Sequence, residues 1–306
     1  MSEASTNRNT RLCCPVCQDP LEEPIPDECH NLHTINRNYK IPVLLSNPIK
    51  IEELLESRTA EIGRADWYTE KHSNQARGPF RHHLRRRRRF VETVLEKYLK
   101  TEAIENAASL LDLGCGDGEN LQWLRKYANR IYASDYNSIR LARINSCAEE
   151  QVYLADITNY PALDNSFEII FFNHVLEHIP DHLTAMREVA RITQPGGIVI
   201  LGIPNEGALF GRLAYKFQPS SRKTTDHVHF YTMYEILRLC ELTDLKVQET
   251  KYLGYGIPHW SLDSHIRKFK ILESIFENVG RFICPRQASS IYVILRKNAD
   301  CDLENE

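Results

Sequence analysis

The sequence predicts an α/β protein: a doubly wound sheet of mostly parallel strands, preceded by a small metal-binding module. Three observations carry this. An apolar run, Leu110, Leu111 and Leu113, ends in Gly114-Cys115-Gly116-Asp117-Gly118 and gives way to helical spacing at Leu121, Leu124 and Tyr127. From 105 to 205 apolar runs alternate with helical patterns, the order that lays parallel strands side by side with helices on both faces. Four of the nine cysteines crowd into the first 29 residues while the rest are scattered, which reads as a metal site rather than a disulfide framework.

At 306 residues, 42% hydrophobic and 26% charged, the chain can hold one large domain and one small one. A formal net charge of -3 gives no global basic field, which argues against a nucleic-acid partner. No apolar run approaches the length of a membrane span and the first thirty residues lack a signal-peptide core, so a cytoplasmic location is expected.

Residues 1–10 are polar and expected to be disordered. The module covers 11–48. Cys14 and Cys17 form a C-x-x-C knuckle, and Cys29 and His33, spaced C-x3-H, complete a Cys3His set for a tetrahedral ion such as structural zinc. Cys13 and His30 are rival ligands by spacing. A module this small lacks the apolar side chains for its own core, and a metal would supply the missing stability.

Residues 49–104 should be a helical linker and substrate cap. A helix over 49–64 places Ile51, Leu54, Leu55 and Ile62 on one side, and a second starts at Pro79, a favoured first-turn proline, and runs to Lys100. The run Arg85 to Arg89 wraps that second helix. At about 100° per residue, Arg85, Arg86 and Arg89 point away from its apolar stripe, while Arg87 and Arg88 fall within it. A buried guanidinium needs an anionic partner, so those two await one from the protein or from the substrate.

The main domain is expected over 105–298. After a strand over 130–134, Asp135 stands 19 residues beyond Gly116, where an acid can take both hydroxyls of a ribose. Past a third strand (151–154), Asp156 is placed to accept from an adenine amino group. Strands over 167–172 and 197–203 flank a helix over 181–193. A polar loop over 205–231 carries the start of DHVHFYT (226–232), then come a helix (234–242) and a strand (245–253). Residues 254–288 read as an insertion with one helix (262–279), ahead of a last strand over 291–295.

The segments LLDLGCGDG (110–118), ASDYNSIRLAR (133–143), LADI (154–157), DNSFEIIFFNHVLEHI (164–179) and QPGGIVILGIPN (194–205) together resemble the class I S-adenosylmethionine-dependent methyltransferases. The resemblance implies a Rossmann-like sheet of seven strands, the last antiparallel. It implies that Gly114 and Gly116 contact the methionine part of the cofactor, Asp112 orients its ammonium, Asp135 binds the ribose, and Asp156 with Ile157 binds the adenine. Asn173, at the end of the fourth strand, completes the expected cofactor set. The N-terminal module is similar to zinc ribbons that precede some methyltransferases, including certain ribosomal-RNA enzymes.

A sulfonium methyl needs a nucleophile held in line and, if that nucleophile is a hydroxyl, a proton acceptor. The candidates are His174 and His178, in the cluster just past the fourth strand, and His227 and His229 in the later loop. His174-Val-Leu-Glu177-His178 matches the H-x-x-E-H pattern of one metalloprotease class. That pattern needs a continuing helix, however, and Pro180 forces Ile179 out of helical geometry. The segment is closer to ubiquinone-biosynthesis O-methyltransferases, where E-x-x-E-H is linked to metal-assisted methylation. Here His174 holds the first position, a departure from the oxygen ligands magnesium prefers; alternatively Glu177 and His178 hold the loop. The expected activity is methyl transfer to an oxygen of a small molecule, lipid head group or sugar. RNA base methylation and a silent, cofactor-binding partner subunit are the alternatives.

Overall fold

Strands apolar on both faces need cover on both sides, and their order in the sheet decides which loops meet. The computed structural model describes residues 11–31, 33–38, 40–46, 78–145, 150–223, 225 and 227–299. The N-terminal tail, the helix expected over 49–64 and the last residues of the chain lie outside these. The strands are β1 (Arg37–Asn38), β2 (Ile41–Leu44), β3 (Leu110–Leu113), β4 (Ile131–Asp135), β5 (Glu150–Ala155), β6 (Phe167–Asn173), β7 (Thr193–Pro204), β8 (Leu245–Leu253) and β9 (Ser290–Lys297). They pair in the order β1-β2-β5-β4-β3-β6-β7-β9-β8.

This corrects the expected count of seven. The seven-strand sheet runs from β5 to β8, and β2 adds an eighth strand parallel to β5, with Val43 opposite Leu154 and Leu44 opposite Ala155. The two-residue β1 closes that edge as an antiparallel hairpin. The physical reason is cover: Leu44 is fully buried and joins the core that holds Tyr153 and Ala155. Leu12, Leu21, Ile25 and Ile35 of the module pack into the same core as Tyr132, Tyr153, Tyr160 and Phe167. A polar seam adds to this, since Glu23 pairs with Arg130 and accepts from Tyr132 OH at 2.6 Å.

The helices are α1 (Arg81–Glu102), α2 (Leu121–Leu124), α3 (Ser138–Leu141), α4 (His182–Ile192), α5 (Leu209–Phe217), α6 (Pro219–Lys223), α7 (Met233–Cys240), α8 (Trp260–Arg267) and α9 (Lys270–Ile283). α1 keeps the expected register and buries Val91, Val94, Leu95, Tyr98 and Leu99. Three segments differ from expectation. The helix after the glycines is a single turn and stops short of Tyr127. The polar stretch over 205–231 contains α5 and α6. The insertion over 254–288 holds two helices, because Phe269 takes an extended backbone (φ -99°, ψ 115°) between them.

In β3, every residue is buried. The chain runs outward from β3 to β4 and β5, then returns to lay β6 on the other side. The C-terminal ends of β3 and β6 therefore border the crevice where such sheets bind ligands. Leu113 pairs with Phe172, so the glycine loop and the His174 segment leave the sheet side by side.

Candidate active site

Gly114 and Gly116 take left-handed backbone, with φ of 76° and 55°. Any side chain would be strained there, and a Cβ on Gly114 would lie 2.2 Å from Val175 Cγ2. A Cβ on Gly116 would sit 3.4 Å from the Arg140 guanidinium carbon. The loop is thus backbone laid open between two neighbours.

Three acids lie on or just past β3, β4 and β5. Asp112 is buried and its Oδ2 has no hydrogen-bond partner among the described residues. Burial, reinforced by the neighbouring Asp135, pushes its carboxyl up to about 8. Asp135 accepts from Gly116 N and from Asn137 N, both at 2.9 Å, which ties the end of β4 to the glycine loop. Burial raises the Asp135 carboxyl too, against the opposing pull of Arg140. Asp156 uses Oδ1 to cap the turn Ile157–Asn159 through Thr158. These residues fit a bound S-adenosylmethionine: a buried carboxyl oxygen without a partner among the described residues suits an ammonium.

Beyond β6 the chain turns through His174, whose φ of 56° is left-handed. Its segment then forms one tight turn, Leu176–His178, and leaves it at Ile179 with extended backbone ahead of Pro180, as the proline requires. That turn buries Glu177 completely. His174 Nδ1 lies 3.2 Å from Glu177 Oε1 and His178 Nε2 4.0 Å from the same oxygen. Glu177, His178 and His227 bring their ligand atoms within 4.8 Å of one another, an arrangement that could hold a metal ion. Burial pushes the Glu177 carboxyl up, but the three histidines pull harder and leave it below its usual value. Burial, with the Arg87 charge beside it, lowers His174 to about 4. His174 is neutral at ordinary pH, and its Nε2 is buried with no partner among the described residues.

His227 reaches this group because the Glu177 carbonyl accepts from Val228 N (2.9 Å) and His229 N (3.2 Å), which pins the later loop. The His178 and His227 rings stand 4.7 Å apart, and His227 Nδ1 sits 2.6 Å from Glu206 Oε2. Tyr215 of α5 donates to the other Glu206 oxygen. His229 is placed elsewhere: its Nε2 meets the Pro180 carbonyl at 3.1 Å and its ring lies 4.1 Å from His182.

Arg87 Nε donates to Tyr292 OH at 3.0 Å, and Tyr292 OH donates to Asn173 Oδ1 at 2.9 Å. Asn173 is therefore engaged by Tyr292 across Gly202, on one face of the sheet. Arg87 Nη2 is buried and unpartnered among the described residues. Arg88 departs from expectation: it is exposed, paired with Glu92 at 2.9 Å and laid over Trp123. Arg86, expected to point away, reaches the buried Glu273 at 2.9 Å instead. The extra helix α9 supplies that carboxylate, which the angular position of Arg86 could not reveal. Tyr292, Glu206 and Tyr215 carry no local motif, and only the folded sheet and loops bring them in.

In the N-terminal module, Cys17 Sγ and Cys29 Sγ are 3.7 Å apart, and His33 Nδ1 lies 3.5 Å from Cys29 Sγ and 3.9 Å from Cys14 Sγ. With zinc–sulfur bonds of about 2.3 Å, the edges of a tetrahedron come to about 3.8 Å. Cys13 turns aside: its Sγ faces Gln18 Oε1 at 3.3 Å, and burial pushes its thiol up to about 12. His30 is exposed and outside the cluster.

Comparison with known proteins agrees with this geometry. A family model described as a methyltransferase domain matches residues 80–250. The malonyl-[acyl-carrier protein] O-methyltransferase of Hamiltonella defensa is 29% identical over 133 residues, 43% of this chain and 50% of that protein. A Mycolicibacterium smegmatis protein described as an S-adenosylmethionine-dependent methyltransferase is 22% identical over 156 residues, 51% of this chain and 58% of that one. The chain thus spans about half the length of the curated relatives it matches. A solved structure of a candidate sarcosine dimethylglycine methyltransferase from Galdieria sulphuraria shares the fold, with a TM-score of 0.50 and 18% identity over 68% of this chain and 86% of that one. The family match takes in more than half of the chain, including the glycine loop and the His174–Glu177 turn, and the chain belongs to the methyltransferase domain family.

Proposed function

We propose that this chain transfers a methyl group from S-adenosylmethionine to an oxygen of a small molecule, lipid head group or sugar that carries an anionic group. The observation behind it is two buried nitrogens without partners among the described residues, His174 Nε2 just past β6 and Arg87 Nη2 on α1, whose charge acts on His174. When bound, the cofactor supplies an electrophilic methyl on a sulfonium. Glu177 Oε1 lies 3.2 Å from His174 Nδ1, on the side away from Nε2, and Nε2 takes the proton from an acceptor hydroxyl as its oxygen attacks. Arg87 would fix a carboxylate or phosphate of the acceptor. The O-methyltransferase relative from Hamiltonella defensa agrees with an oxygen acceptor.

His174→Ala should lower kcat by about 10²–10⁴-fold, the usual size of general-base catalysis, with cofactor affinity kept. The neutral imidazole is the active form, so activity rises with pH through its pKa. With that pKa near 4, kcat should already be flat from about pH 6 upward. An acid limb at or above the ordinary histidine value would remove His174 from the role.

Arg87→Ala should raise KM for the acceptor without changing cofactor affinity, and Arg88→Ala should leave both alone. Equal effects from the two variants, or lost thermal stability with unchanged kinetics, would make Arg87 a structural residue.

Gly114, Gly116, Asp112, Asp135, Asp156, Ile157 and Asn173 are the proposed cofactor set. Calorimetry should show S-adenosylmethionine binding that Asp135→Ala weakens by roughly 1–3 kcal/mol, the scale of lost hydrogen bonds to a charged group. Unchanged affinity would sink the ribose assignment.

Cys14, Cys17, Cys29 and His33 are proposed to hold one structural zinc, with every ligand position used and no part in methyl transfer. Elemental analysis should find close to one zinc per chain, lost from the Cys14→Ser, Cys17→Ser double variant along with thermal stability. Zinc retained in that variant would point to other ligands.

A further inference from the structure

Helix α9 presents its faces in the reverse of the usual order. At about 100° per residue, Ile271, Leu272, Ile275, Val279, Phe282 and Ile283 fall within an arc of about 120°, the stripe a surface helix normally turns to the core. Here the arc faces outward, with Ile271 75%, Phe282 85% and Ile283 77% exposed. The opposite face carries Glu273 and Glu277, both buried.

Polar bonds fix that orientation. Glu273 takes both forks of the Arg86 guanidinium, at 2.9 and 3.2 Å. Glu277 Oε2 accepts from Gly254 N at 3.0 Å and Tyr255 N at 3.2 Å. On α8, Asp263 is likewise turned inward onto the buried Arg267. All three acids of α8 and α9 are therefore buried, while Lys268, Lys270 and Arg281 are exposed. The end of α5 extends the surface, since Phe217 is exposed, stacks on His259 at 6.3 Å and follows the exposed Lys216. Of the sixteen exposed large hydrophobic side chains among the described residues, ten lie on α5, α8, α9 and the α8–α9 turn. Monomers seldom expose such a patch without a partner for it.

We propose that this face docks the protein on a lipid bilayer containing anionic lipid. Its exposed charges have one sign, which a negative bilayer surface attracts, and its apolar side chains can enter the boundary between head groups and acyl chains. A second copy of the chain would fit it less well, because a two-fold contact sets the same basic rim against itself. α9 is also tied to α1 through Arg86, next to Arg87 of the candidate site. An acceptor held in the membrane is then the class to try first, a corollary that rests on the methyl-transfer reading; docking itself does not.

The test is co-sedimentation of the full chain with vesicles of phosphatidylcholine alone or mixed with phosphatidylglycerol. The protein should pellet with the mixed vesicles, and binding should fall at least about tenfold without the anionic lipid or at high salt. The Ile271→Asp, Phe282→Asp double variant, with an unchanged melting temperature, should lose at least about tenfold, and Lys270→Glu should also weaken binding. No pelleting with the mixed vesicles, or equal binding by the double variant, overturns the proposal. So does self-association that the double variant abolishes when vesicle binding is absent. Methyl transfer is not a readout, so failure here leaves the catalytic reading untouched.

Discussion

The parallel pairing of β3 with β6 is the constraint on which the rest of the site depends. It sets Leu113 against Phe172, so the glycine loop and the His174 turn emerge at the same edge. Val175 then packs where a Cβ of Gly114 would be. This close approach requires glycine at 114, and it makes Val175 the spacer between the cofactor loop and the Glu177 cluster. A larger residue at position 114 would push the glycine loop and the His174 turn apart.

Charge is handled differently in the two halves of the site. Beside the glycine loop, Asp112 and Asp135 are buried close together, and burial raises both carboxyls. A bound cation stabilises such a pair, which ties ligand affinity to the cost of burying the acids. Past β6, Glu177 sits among three histidines and is held ionised, while His174 is held neutral by burial and Arg87. Both groups are therefore deprotonated at neutral pH, which leaves the imidazole of His174 free to accept a proton.

Arg86 and Arg87 show how far angular reasoning reaches. Helical geometry separates them by about 100°, and α1 indeed sends them to different neighbours. One reaches Glu273 of the insertion and the other Tyr292 of the last strand. Neither partner was legible, because both lie about 190–205 residues further along the chain and carry no motif of their own. The same holds for Glu206 and Tyr215, which orient His227 from a stretch that reads as polar loop.

The sequence by itself determined the parallel sheet, the glycine turn at its centre, the acids past its strands and the Cys3His cluster. Each of these is local: apolar runs, glycine conformational freedom and ligand spacing are written within a few residues. Tertiary structure decided what lies beyond that range. It made 41–44 an eighth strand, paired with β5 and with Leu44 in the shared core. It turned α9 outward, against the orientation its apolar stripe suggests, and set Glu273 on Arg86 and Glu277 Oε2 on two backbone amides at the inner side. Those partners come from parts of the chain that only folding brings together.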